Sequence, residues 1–170
     1  MVGKNKKIGI VITCLVGLSA FLFARPAQDE EENYVRLVKA QSVNLITDDE
    51  GKSLRKAVEA TFLHNGTLLI CDTAYWRVDD NIINALGHVC LTQEGTELTS
   101  DKLDYFVDKN LAQFRGSLVQ LRDKENNILR THYLDYNTAD SVAVFFNGAS
   151  MKDKDGQIIE SLDGSYRSKE

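Results

Sequence analysis

Proline is almost missing from this chain of 170 residues; Pro26 is the only one. Polyproline spacers and proline-set turns are therefore excluded, and the eleven glycines carry the punctuation. Cysteine is nearly as scarce. Of three, Cys14 sits in an N-terminal apolar run, which leaves Cys71 and Cys90, too few for a disulfide-built scaffold. Basic charge is in deficit as well: 20 Lys and Arg against 25 Asp and Glu give a net charge of −5. No basic stripe is available to neutralise phosphates, so nucleic acid is excluded as the main partner. Apolar content is not deficient. At 43% hydrophobic and 26% charged, the chain has the material for a packed core and is not a disordered polymer.

The N-terminus is a separate object. Lys4, Lys6 and Lys7 precede an uncharged apolar run, Ile8 to Phe23. A basic region followed by an apolar one is the layout of an export signal. The run is slightly short for a bilayer-spanning helix, and Ala24 is not preceded by a clean small-x-small cleavage site. Residues 1–24 are thus a signal peptide or a retained membrane anchor. In either case the lysines stay cytoplasmic, the rest is exported, and the N-terminus contacts the inner membrane. Residues 25–33, "RPAQDEEEN", form an acidic linker, and folded sequence starts at Tyr34.

From there the chain repeats itself. Trp76, Tyr105, Tyr136 and Tyr166 recur about every thirty residues, and Gly87, Gly116 and Gly148 follow at nearly the same interval. Around each aromatic, apolar residues alternate with polar ones. Ile70, Ala74, Trp76 and Val78 share one parity, as do Leu103, Tyr105 and Val107, then Leu134 and Tyr136. A period of two is that of a half-buried strand. Polar turns follow ("VDDN", "VDKN", "YNTAD"), then return strands with Ile83 and Ala85, Ala112 and Phe114, and Val142, Val144 and Phe146. The unit is strand, turn, strand. The recurring glycine marks a bulge where a strand turns a corner. The stretch Lys52 to Ala60 has some helical character but reads as strand or loop in this context. The fold is all-β: ten to twelve strands in tandem hairpin repeats, stacked as two sheets or as one sheet folded like a taco.

Chemistry-bearing constellations are missing. His64, His88 and His132 have no metal-ligand spacing, and no nucleophile motif or phosphate loop occurs. Neither a cofactor nor an enzymatic activity is expected. His132 occupies the repeat slot of Asp72 and Asp101 and reads as a polar position at a strand start, while the two carboxylates cap or bridge neighbouring rungs rather than form an acid/base pair. "DKDG" at Asp153 to Gly156 is a hairpin turn, because Met151 and Leu162 would stand at ligand positions of a calcium loop. Asn65-Gly66-Thr67 matches a glycosylation triplet and equally a plain turn. A two-residue turn at Asp80-Asn81 would set Cys71 opposite Cys90, so a disulfide and a pair of buried small hydrophobes both stand open.

The phrases "HNGTLLICDTAYW", "INALGHVCLTQEGTELTSDKLDY", "FRGSLVQLRDKENNILRTHYLDYN" and "IIESLDGSY" resemble successive rungs of the OstA-like family of periplasmic lipopolysaccharide-transport proteins, in the form found in Bacteroidetes. The resemblance covers Leu63 to Tyr166, and the β-repeat domain is taken as 34–170. It implies an antiparallel β-jellyroll, open along one side, whose groove shields lipopolysaccharide acyl chains in the periplasm. It also implies partners: lipopolysaccharide, and other OstA-like jellyroll domains of the export bridge and outer-membrane translocon, joined end to end through the last rung, Ile158 to Tyr166. The groove is expected to be lined by Ile70, Ala74, Trp76, Val78, Leu103, Tyr105, Val107, Phe114, Leu134, Tyr136, Val144 and Phe146. The alternative is an exported β-repeat scaffold or adhesion module whose core is closed and carries no lipid.

Overall fold

A computed structural model describes residues 34–168. The expected signal or anchor (1–24) and the acidic linker (25–33) lie outside the described residues. Twelve strands follow one another: β1 (Arg36–Lys39), β2 (Ser42–Thr47), β3 (Ser53–His64), β4 (Thr67–Arg77), β5 (Ile82–Gln93), β6 (Thr96–Phe106), β7 (Leu111–Arg122), β8 (Ile128–Asn137), β9 (Val142–Phe145), β10 (Ala149–Lys152), β11 (Ile158–Ser161) and β12 (Gly164–Arg167). All belong to one antiparallel sheet, interrupted only by a short 3-10 turn at Val107–Lys109. The stretch Lys52 to Ala60 is indeed largely strand. Among the described residues no helix is long and apolar enough to cross a membrane.

Local sequence explains the connections. The β3–β4 and β5–β6 hairpins turn through Asn65-Gly66 and Glu94-Gly95, all four at positive φ, which is the mirror-image turn that matches strand twist. In the longer loops Asp48, Asp123 and Asp153 each accept two backbone N–H groups from residues two and four positions onward. The Asp153 carboxylate is consumed in this way by Asp155 and Gln157.

The six long strands β3–β8 are bent, and each serves two sheet wings. In one, β2 and the N-terminal half of β3 lead through the C-terminal half of β4 to β5, β6, β7, β8, β9 and β12. In the other, β1 and β3 lead through the opposite halves of the same strands to β10 and β11. The bend falls where the register slips, at Ile70/Thr73, Leu86/Val89, Thr99/Lys102 and Arg115/Val119. This is the corner expected at the repeating glycines. At Gly148 the bulge becomes a break, and β9 and β10 part into different wings. The last rung is likewise divided: β11 pairs β10, and β12 pairs β9.

The corner explains the Asp–Gly recurrence. Asp72 lies over Gly87, and Asp101 lies over Gly116, where a Cβ would stand 2.6 Å from its Oδ2. Asp101 also accepts the Ser117 N–H at 2.7 Å, while Asp72 meets His88 Nδ1 at 2.7 Å. The two carboxylates therefore bridge neighbouring strands, one of the two roles the sequence leaves open for them. Ser117 holds the Asp101 carboxyl below the usual carboxylate range through backbone and side-chain hydrogen bonds.

One register expectation fails. The β4–β5 loop is the four residues Val78 to Asn81, because Arg77 pairs Ile82, and the slip after Ile70 moves Cys90 opposite Ile70. Cys71 then faces the interior while Cys90 stands half-buried, and both thiols are free.

Gly116→Ala is expected to lower unfolding free energy by about 1–3 kcal/mol through overpacking against Asp101. Asp101→Ala in the same chain should restore part of it. Urea melts of the two variants check this.

Candidate functional site

The wings close over one apolar interior. On the first, which we call the aromatic wing, paired residues run Trp76, Ile83, Tyr105, Ala112, Tyr136, Ala143, Tyr166. The four repeat aromatics thus lie on one face, separated by smaller residues. On the facing leucine wing the row runs Leu37, Phe62, Leu69, Leu91, Leu98, Leu121, Leu129, Met151, Ile159. The middle of both rows is shut away from solvent: Tyr105, Tyr136, Leu98 and Leu121 are at most 1% exposed, as are Phe114 and Leu134 beside the aromatic row. Phe62 meets Trp76 edge-on at 5.7 Å across the interior.

Of the residues expected in the groove, Ala74, Trp76, Leu103, Tyr105, Val107, Phe114, Leu134 and Tyr136 point inward and are buried. Four do not. Ile70 is 42% exposed, because the bulge after it reverses the parity carried back from Ala74. Val78 has left the strand and begins a turn, accepting the Asn81 N–H. Val144 is 46% exposed, and its neighbour Ala143 takes the inner place opposite Tyr136. A small side chain is what fits between two tyrosines of the same row. Phe146 lies outside too, stacked on Tyr133 at 5.7 Å with the Arg115 guanidinium 5.4 Å from its ring centre.

The leucine row was missed, although Leu69, Leu98 and Leu129 repeat at the same interval as the aromatics. Also missed was the polar margin opposite the bend. Here His64 Nδ1 lies 2.6 Å from the Tyr105 hydroxyl, and Gln93 Nε2 donates to the Thr138 carbonyl at 2.7 Å. Further along, the Tyr166 hydroxyl donates to Asp123. Burial pulls His64 below its ordinary pKa, against the opposing pull of Asp108. Burial alone would raise Asp123. The hydrogen bonds from Tyr166, Asn127 and the Glu125 N–H outweigh it and hold the carboxyl below its usual range. Tyr166 is itself pushed up to about 12 by burial and the Asp123 contact.

The profile of the OstA-like protein family matches residues 32–170. The chain belongs to the OstA-like family. No curated protein matches it in sequence. Among solved structures it is similar to the crystal structure of LptH from Pseudomonas aeruginosa. LptH is the LptA-homologous periplasmic component of that organism's lipopolysaccharide transport device. The likeness has a TM-score of 0.53 at 19% identity, over 64% of this chain and 78% of LptH. It shows a shared fold: this OstA-like chain is built as the jellyroll expected of it.

Two outcomes follow from the packing. Ala112→Leu should destabilise the OstA-like domain by about 1–3 kcal/mol, since its place lies between Tyr105 and Tyr136. The depressed Asp123 carboxyl contributes stability at neutral pH that is lost as pH falls below about 4, toward its folded value. Thermal melts of Asp123→Asn and the parent should therefore differ most near pH 7 and converge in acid.

Proposed function

We propose that this OstA-like protein is a periplasmic lipopolysaccharide carrier, exported by its N-terminal segment and working as one unit of a bridge to the outer membrane. The observation that carries the reading is the leucine row, which crosses nine strands without a charged residue. At roughly 4.8 Å between strands such a row is about 38 Å long. An acyl chain laid along it exchanges water for side chains at about 0.8 kcal/mol per methylene. Phe114, Leu134 and Tyr136 supply the facing wall.

Apolar inward-facing positions are also bared at both ends of the molecule. Ile159, on the β11 edge, is 63% exposed. At the opposite end Val43 and Leu45 of β2 share the inward parity of Ala57 and Arg55 but are 49% and 74% exposed. Each end bares inward-facing apolar residues on a different wing. A neighbouring jellyroll domain stacked end to end covers them, with edge-strand hydrogen bonds as the joint.

The sealed centre of the interior favours a second reading, a scaffold with a closed core. Photo-crosslinking in cells separates the two. A crosslinking residue in place of Leu98 or Phe114 is expected to capture lipopolysaccharide well above the level at Lys102 or Asp104, which face outward. Equal capture at inner and outer positions would leave the scaffold reading standing. For the joint, Ile159→Asp and Leu45→Asp should each weaken co-purification of a second OstA-like domain. Both side chains are exposed, so the isolated domain's stability should change by no more than about 0.5 kcal/mol.

A further inference from the structure

A carrier whose interior is already filled by its own side chains must change shape to load, and two features define how. The bend line supplies an axis, because register slips at the same level in successive strands. The opposite margin is held from wing to wing by polar struts: His64 to Tyr105, Gln93 to Thr138, and Asp123 to Tyr166. We propose that this margin is a hydrogen-bonded latch, and that cargo enters by parting it along its length rather than by threading from the ends.

The chemistry of the margin suits a latch better than a permanent seam. Hydrogen bonds broken on opening are exchanged for bonds to water, whereas leucines there would lose burial with nothing in return. The closed margin is also imperfectly satisfied. Thr67 Oγ1, which lies opposite His64 in the sheet, and Gln93 Oε1 are shut away without a hydrogen-bond partner. Each is a cost of closure that opening relieves. The apolar contact behind the struts acts with them to keep the empty protein shut. Acyl chains replace that contact only in the open form, so they bind one state and shift the population toward it. Opening is thereby tied to cargo, and the empty interior is not bared to water.

The proposal rests on the carrier reading, and its test has an arm that needs no lipid. In the full-length protein, the buried margin residue Thr96 is replaced (Thr96→Cys) and the new thiol is labelled with a maleimide, read by mass spectrometry of that peptide. Adding Tyr105→Phe and Tyr166→Phe should speed labelling roughly tenfold, the effect of two hydrogen bonds of ordinary strength. The comparison is a Gly116→Ala version matched in overall stability. Labelling no faster than in that comparison overturns the latch, whatever the lipid result. The second arm joins Gln93→Cys to Thr138→Cys by a short bis-maleimide. The bridged protein should take up fluorescent lipopolysaccharide at least tenfold more slowly than the same variant left unbridged. Equal uptake overturns lateral entry in favour of threading. Uptake by neither form, with labelling still accelerated, refutes the carrier reading and leaves the latch as a property of the fold.

Discussion

A strand has only two faces, and a long strand that bends through a corner would bring its outer residues inward on one side of the bend. The bulges resolve this conflict. Along β4 the inward residues are Leu69 and Cys71 before the corner and Ala74 and Trp76 after it. Along β8 they are Leu129 and Thr131, then Leu134 and Tyr136. The slip resets parity where direction changes, so both wings present apolar side chains to the same interior. Every other feature of the molecule is downstream of that reset: the continuous sheet, the two facing rows, and the free margin.

The exterior of the corner follows from the same constraint. Bulged backbone leaves N–H groups without strand partners, and the repeat slot supplies carboxylates beside them, as Asp101 does for Ser117. Close approach of that carboxylate leaves no room for a Cβ on the next strand, hence glycine at 116. Where the slot changes to His132, the contact is a longer one to the Gly116 carbonyl, at 3.3 Å. One strand further on, the sheet divides at Asn147-Gly148.

On the proposed reading, the candidate site acts through its shape. His64, Tyr105, Asp123 and Tyr166 are engaged in holding wing to wing, and the rows between them are hydrocarbon and aromatic faces. This suits binding of apolar chains.

Much was legible in the chain itself. The two-residue alternation and the thirty-residue interval established strands, hairpins and the common face of Trp76, Tyr105, Tyr136 and Tyr166, because those are properties of backbone geometry that each residue carries locally. Eight of the twelve expected interior positions followed from the same parity. Of the four that fell outside, Val78 did so locally, as the first residue of a turn, and Ile70 and Val144 for non-local reasons. The bulge beyond Ile70 is set by the path of the neighbouring strand, and the inner place of Ala143 is set by the volume of tyrosines on either side. His64 and Asp123 lie about forty residues from the tyrosines they meet, and nothing local distinguishes them from surface residues. Whether a polar residue faces solvent or a partner across a closed margin is decided only when the two wings meet, since the energy of a hydrogen bond depends on what replaces the water.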